Sequence, residues 1–157
     1  MEVKMMVQLR STAFTDGEHI PEKYTCMGVD KSPPLNWTKA NADIKAWALI
    51  LDDPDAPGGT FTHWVLYNIP ASTASLPEGV PRVEKLEDGS LQGMNSTQKI
   101  GYVGPCPPPG ALHHYNFTLY ALDGMLKLAA KASKEQVLKA MKGHIVVQGK
   151  LTGLYQR

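Results

Sequence analysis

The chain has 157 residues and 17.2 kDa, 43% of them hydrophobic and 20% charged, which suits one packed domain spanning residues 1–157 and excludes intrinsic disorder. Sixteen Lys and Arg against fifteen Asp and Glu leave a formal charge of +1, with neither a basic nucleic-acid footprint nor a polybasic membrane anchor. Fourteen glycines and twelve prolines, about one residue in six against an ordinary one in eight, would break a helical bundle and favour a β-rich domain with shaped loops.

The first residues, MEVKMMVQLRSTAF, carry Lys4 and Arg10 but no apolar stretch followed by a small-residue cleavage site. No run approaches the ~20 apolar residues of a membrane span. The expectation is a cytoplasmic protein without an integral membrane segment, periplasmic only if a signal peptide has been removed. Cys26 and Cys106 are the only cysteines, too few for a disulfide scaffold. Two reduced thiols packed as small apolar groups is the favoured reading, and a disulfide is the alternative for an exported protein.

Four segments read as strands. Residues 46–51 (AWALIL) are a continuous apolar run stopped by Asp52-Asp53-Pro54, and residues 61–69 (FTHWVLYNI) are rich in aromatic and β-branched side chains. Residues 116–122 (NFTLYAL) follow a Pro/Gly cluster, and residues 144–155 carry Ile145, Val146, Val147, Leu151 and Leu154. Apolar residues on both faces of 61–69 indicate a central strand buried on each side. One helix is well signalled: Ser133 caps, Gln136 completes the capping box, Val137, Leu138 and Met141 form a stripe, and Gly143 stops it. Residues 125–131 are a weaker helical segment. The expected fold is mainly β, two packed sheets with one or two short helices near the C-terminus.

Ionisable residues gather at two places. One is the loop Asp52-Asp53-Pro54-Asp55-Ala56-Pro57 with His63 shortly after; the other is residues 101–110 (GYVGPCPPPG), followed by His113-His114-Tyr115. Proline fixes φ and removes its own N–H, so such loops are stiff and expose few, selected backbone groups. Strand parity places His63, Val65, Tyr67 and Ile69 on one face, with Thr62, Trp64, Leu66 and Asn68 on the other. It also groups His113, Tyr115 and Phe117, with His114 pointing away. Taken singly, each of these residues is more often a turn former or a satisfied core side chain. A metal site is disfavoured because no H-x-x-x-H or H-E-x-x-H spacing occurs, and a serine hydrolase because no G-x-S-x-G occurs. Cys106 as a nucleophile with His113 as base is a further minor reading.

The two clusters, in this order, resemble the phosphatidylethanolamine-binding protein family, which includes the Raf kinase inhibitor-like proteins of bacteria and archaea. The first signature is Asp53-Pro54-Asp55-Ala56-Pro57 with His63-Trp64 and Asn68-Ile69-Pro70; the second is Gly101-Tyr102-x-Gly104-Pro105-x-Pro107-Pro108-x-Gly110 closing on His113-x-Tyr115. Tyr24-Thr25-Cys26, Ser32-Pro33-Pro34-Leu35 and Gly143-His144 extend the likeness over nearly the whole chain. Nine prolines fall inside these segments: 33, 34, 54, 57, 70, 105, 107, 108 and 109.

The resemblance implies a two-sheet β fold with Greek-key elements and a small anion pocket at one end. The pocket residues carried over are Asp53, Asp55, His63, Gly104, Pro107, His113 and Tyr115. It further implies a cis peptide at Asp53-Pro54 or Ala56-Pro57, and a pocket more open than in the animal branch, whose extra C-terminal helix is lacking. His63 and His113 would donate N–H bonds to the anion, Tyr115 its hydroxyl, and loop amides a nest. Asp53 would accept from an imidazole, fixing its tautomer and favouring its charge, while Asp55 would anchor backbone or face an ammonium group. His114 stands where the family has Arg, which puts any Arg-dependent partner contact in doubt. The function implied is a non-enzymatic binder of a small anionic or phosphorylated ligand, needing no cofactor or metal. Alternatives are an inhibitor of a kinase or serine protease and a phosphoester-acting enzyme; a homodimer is a further assembly it admits.

Overall fold

The computed structural model describes residues 7–38 and 43–157; Lys4, weighed above as part of a leader, lies outside them. In chain order the strands are β1 (Leu9–Arg10), β2 (Leu35–Trp37), β3 (Ala46–Asp53), β4 (Phe61–Pro70), β5 (Ser75–Leu76), β6 (Leu91–Gln92), β7 (His113–Leu122) and β8 (Ile145–Tyr155). One helix, α1 (Lys134–Met141), precedes β8, and a 3-10 turn occupies Glu22–Tyr24. All strand pairs are antiparallel, forming a three-stranded sheet β1-β2-β5 and a five-stranded sheet β6-β4-β3-β7-β8.

The large sheet is apolar on both faces, as the continuous run in β3 requires. One face meets the small sheet: Trp47, Leu49, Leu66 and Phe117 pack against Leu9, Leu35, Trp37 and Leu76, with the Trp37 and Trp47 rings 5.7 Å apart. The opposite face carries Ala48, Ile50, Val65 and Tyr67, covered by Leu126, Ala132, Val137 and Met141. Val137 and Met141 are fully buried, each contributing roughly 1.5–3 kcal/mol of apolar transfer.

Helix α1 has the expected capping box, Ser133 accepting from the Gln136 N–H while the Gln136 side chain accepts from the Ser133 N–H. Gly143 ends the helical region with φ +84°, a left-handed conformation that glycine adopts without steric cost. Leu138 does not join the stripe; it is 39% exposed. Residues 125–131 are not helical, because their backbone groups are claimed by β4 side chains. Asn68 donates to the Leu126 carbonyl and accepts from the Leu126 N–H. The Tyr67 hydroxyl donates to the Ala129 carbonyl and accepts from the Ala132 N–H.

Parity along β4 is broken twice. Trp47 pairs with Ile69 but Leu49 with Leu66, and Leu51 pairs with Trp64 but Asp52 with Thr62. Each slip puts an extra residue into β4, and such bulges re-aim side chains. The first, at Asn68 with φ +54°, moves Ile69 to the core of Trp64 and Leu66. The second is His63 itself, which leaves the Val65 face and stacks its ring edge-on to Tyr115 at 5.3 Å. The uniform alternation read from 61–69 is corrected accordingly. In β7 alternation holds: His113, Tyr115 and Phe117 are buried while His114 is exposed.

Two backbone and thiol expectations also change. No peptide bond among the described residues is cis; the DPDAP loop is turned by Asp53 Oδ1, which accepts from the Asp55 N–H at 2.8 Å, and by Gly59 at φ +109°. Cys26 and Cys106 are not reduced thiols but a disulfide. The Cys26 N–H donates to the Pro105 carbonyl, which holds the two segments side by side with Cα atoms 5.4 Å apart, well within bridging range.

Candidate functional site

The end of β3 and the starts of β4 and β7 lie together at one end of the large sheet, because the three strands are antiparallel neighbours. There, beneath residues 103–108, is a cavity of about 230 Å3. It is lined by six of the seven candidate residues: Asp53 from β3, His63 from β4, His113 and Tyr115 from β7, and Gly104 and Pro107 from the Pro/Gly loop. A larger groove of about 550 Å3 beside β1 and β8 has no polar lining side chain that is buried, so chemistry rather than size marks the smaller one.

Asp53 is 3% exposed, and both its oxygens are engaged. Oδ1 shapes the loop, as above, and Oδ2 lies 2.6 Å from His113 Nδ1. A buried carboxylate requires such partners, and it fixes the tautomer: His113 Nδ1–H donates to Asp53. His63 Nδ1 lies 2.7 Å from the Val103 carbonyl oxygen. A carbonyl only accepts, so His63 Nδ1 also carries its proton. Burial lowers the His63 pKa below its ordinary value, against opposing pulls from the Val103 carbonyl, Asp53, Asp52 and Asp30. In its neutral form His63 therefore offers a lone pair at Nε2, not an N–H, which revises its expected role as a ready donor.

Among the described residues the Nε2 atoms of His63 and His113 have no hydrogen-bond partner, yet they are not among the sealed orphan atoms. Both residues are at most 4% exposed, so the opening that reaches them is the cavity. Tyr115 Oη is fully buried, inaccessible even from the cavity, and lies beside the Asp53 carboxylate. Burial, then the nearby Asp53 carboxylate, raises its pKa far above the ordinary value of 10, so it stays a neutral O–H.

The loop amides form no general nest. Val103 N–H donates to the His63 carbonyl and Gly104 N–H to Asp30 Oδ1 at 2.8 Å; residues 105 and 107–109 are prolines. Cys106 has the one amide of 103–109 without such a partner among the described residues, and the residue borders the cavity. Gly104 is needed for closeness: a Cβ there would sit 2.4 Å from the Tyr24 carbonyl oxygen and 2.3 Å from Asp30 Oδ1. The Cys106 thiol is consumed in the disulfide, which removes it as a nucleophile. The last residues strap the loop from the far side, Arg157 Nη1 donating to the Pro107 carbonyl and Gln156 to that of Gly110.

Asp55 is the candidate that does not line the cavity. Its Oδ2 accepts from both the backbone N–H and Nδ1 of His114 at 2.8 Å, which holds its carboxyl below the ordinary range. It anchors backbone, one of its two expected roles, and His114 lies outside with its side chain about half exposed. Sequence reasoning missed Phe61, Thr97 and Pro108 in the lining and Asp30 behind Gly104. Phe61, whose ring stacks on His63 at 4.7 Å, was available from its position two residues upstream on the same strand. No local signal marks Asp30. Among the described residues no group of three His, Cys, Asp or Glu is placed to hold a metal ion.

The sequence model of phosphatidylethanolamine-binding protein matches residues 10–156. A UPF0098 protein of Methanothermobacter thermautotrophicus is 51% identical over 151 residues, 96% of this chain and 99% of its own. Another from Pyrococcus horikoshii is 47% identical, over 99% of this chain and 79% of its own. Among solved structures, E. coli YbcL, described as a member of the mammalian PEBP family, superposes with TM-score 0.90 at 30% identity, covering 98% of this chain and 99% of its own. A PEBP homologue from Chlamydia trachomatis superposes with TM-score 0.88 at 40% identity, covering 97% and 98%. On the match across residues 10–156, supported by relatives and folds of this closeness, the chain belongs to the phosphatidylethanolamine-binding protein family.

Proposed function

We propose that the cavity binds a small anion or the phosphate of a phosphorylated head group, without turning it over. The observation that carries this reading is His113, its Nδ1–H held by Asp53 and its Nε2 open to the cavity without a hydrogen-bond partner among the described residues. Protonated, that Nε2 donates to an anion in a charge-assisted bond, about twice as strong as a neutral one. The Cys106 amide, at a residue that borders the cavity, is a further donor. Rigid walls of Pro107 and Pro108 supply preorganisation at low entropic cost.

The disulfide weighs against the reducing cytosol expected from the N-terminal residues, since mesophilic cytosols keep thiols reduced. No described helix is long and apolar enough to cross a membrane.

The test is an NMR titration of wild type and His113→Ala with inorganic phosphate, with the unfolding transition of both proteins measured alongside. The variant is expected to stay folded and to bind at least about tenfold more weakly. Equal affinity in the two proteins, or no saturable shift of the His63, His113 and Tyr115 resonances in wild type, overturns the reading.

A further inference from the structure

Val103 holds His63 at two points. Its N–H donates to the His63 carbonyl at 3.0 Å, and its carbonyl accepts from His63 Nδ1–H at 2.7 Å. These groups belong to the two peptide units on either side of Val103. A trans peptide is planar, with N–H and C=O pointing to opposite edges, so each unit has a second, outer edge. Both outer edges are gripped by one charged pair. The Tyr102 carbonyl accepts from Arg82 Nε at 2.6 Å, and the Gly104 N–H donates to Asp30 Oδ1 at 2.8 Å. Arg82 Nη2 also donates to the Asp30 carbonyl and lies 3.9 Å from Asp30 Oδ2, which joins the two residues into one clasp.

The local backbone is shaped around this clasp. Asp30 stands in the left-handed region at φ +63°, which aspartate tolerates better than most residues, and its N–H donates to the Lys23 carbonyl. A Cβ on Gly101 would sit 2.9 Å from Arg82 Cγ, and one on Gly104 2.3 Å from Asp30 Oδ1. Both glycines of the Gly101-Tyr102-Val103-Gly104 segment thus admit a clasp residue. We propose that Asp30 and Arg82 are positioning residues of the cavity: by fixing the two peptide planes around Val103 they aim its carbonyl at His63, so that His63 turns an Nε2 lone pair, not an N–H, to the cavity. Neither residue lines the cavity. The Cys26–Cys106 disulfide and the Tyr102 hydroxyl, which donates to the Tyr24 carbonyl, fasten the same loop, but neither bonds these peptide edges. The clasp acts on the cavity of the anion-binding reading and rests on that reading for its purpose, not for its geometry.

The test compares ligand-free wild type, Asp30→Gly, Asp30→Asn and Arg82→Met by long-range proton–nitrogen NMR of the imidazoles, which separates Nδ1–H from Nε2–H tautomers, with unfolding transitions measured alongside. Glycine adopts the left-handed backbone without steric cost, so Asp30→Gly removes the acceptor and adds no strain; asparagine also tolerates it and keeps Oδ1 as an acceptor. In wild type His63 is expected as the Nδ1–H form. In Asp30→Gly and Arg82→Met its Nε2–H share should rise at least about fivefold, while Asp30→Asn stays at the wild-type value. His113, whose Nδ1–H is held by Asp53, serves as the internal control and should not change in any of them. An unchanged His63 tautomer in either folded variant, or an equal change at His63 and His113, overturns the positioning role. A change in Asp30→Asn as large as in Asp30→Gly assigns the effect to charge and overturns it too. No ligand is present in these measurements, so they decide the clasp alone, and the phosphate titration of wild type decides anion binding separately.

Discussion

Asp52 and Asp53 are chain neighbours at the end of one strand, and they have opposite fates. Asp52 points to the helix-covered face, where Oδ1 accepts from the Thr62 hydroxyl at 2.9 Å and Oδ2 pairs with Lys134 Nζ at 2.7 Å. Nothing there is left over. Asp53 points to the cavity face, where its own oxygens are satisfied by Asp55 N–H and His113, but the groups around it are not: the Nε2 atoms of His63 and His113 open on the cavity without a partner among the described residues. The same residue type on two faces of one strand is a closed structural pair in one case and the keystone of an open site in the other. What distinguishes a site is the unmet hydrogen-bonding capacity around the charge, not the charge.

The covalent fastening of the cavity side gives the strongest way to break the contrast. The Cys26–Cys106 bridge closes a chain segment with a sequence separation of 80, for which loop entropy gives about 4 kcal/mol or more of stabilisation. Changing both cysteines to Ala is expected to lower unfolding free energy by that order in urea titration. Amide exchange should accelerate at 22–28 and 101–110 first. Equal acceleration at 126–141, on the other face, would show that the two faces open together.

Asp53→Asn comes next. The amide can still accept at Oδ1, but it replaces the carboxylate that accepts the His113 Nδ1–H inside a buried pair, a change worth about 1.5–3 kcal/mol. Phosphate affinity should fall at least about tenfold as the His113 ring loses its orientation. A stable variant with wild-type affinity would remove Asp53 from the site's support.

His63 predicts a pH effect specific to the cavity face. Its folded pKa lies below the ordinary 6.5, so below pH 6.5 the unfolded chain binds more protons than the folded one. Its contribution is then complete above about pH 6.5 and is lost as pH falls toward the folded value, with a slope bounded by about 1.4 kcal/mol per pH unit for one proton. Denaturation of wild type at pH 7 and pH 5.5 should show that loss, and His63→Gln should lack it. An equal pH dependence in the two proteins would assign the loss to other groups.

The long strands, the capped helix and the gathering of six candidate residues around one cavity were legible because they depend on local pattern: apolar runs, a capping box, two motifs at a set separation. The short strands β1, β2, β5 and β6, of two or three residues each, carry too little periodicity to read. His63 was found, but for an incomplete reason, since simple alternation puts it with Val65 and only the bulge turns it to Tyr115. Residues 125–131 looked weakly helical because side chains 58 to 62 positions away, on Asn68 and Tyr67, had yet to claim their backbone. The disulfide, the less favoured alternative from sequence, escaped for the same reason: two cysteines 80 residues apart say nothing of distance until the loop above the cavity is placed.

The smallest effect is expected on the other face, and its smallness is the point. Asp52 and Lys134 side chains are each about one-fifth exposed, so their pair is partly solvated and worth on the order of 1 kcal/mol or less. Asp52→Asn keeps an oxygen for the Thr62 hydroxyl and loses only the charge attraction to Lys134, which also tethers the first turn of α1. Unfolding free energy should therefore drop by about 0.5–1 kcal/mol, diminishing further in high salt, while phosphate affinity stays at the wild-type value. Asp53→Asn, one residue along, would weaken both. If Asp52→Asn instead lowered affinity as Asp53→Asn does, the sheet would be transmitting strain from the helix face to the cavity, and the two faces could no longer be treated as separable.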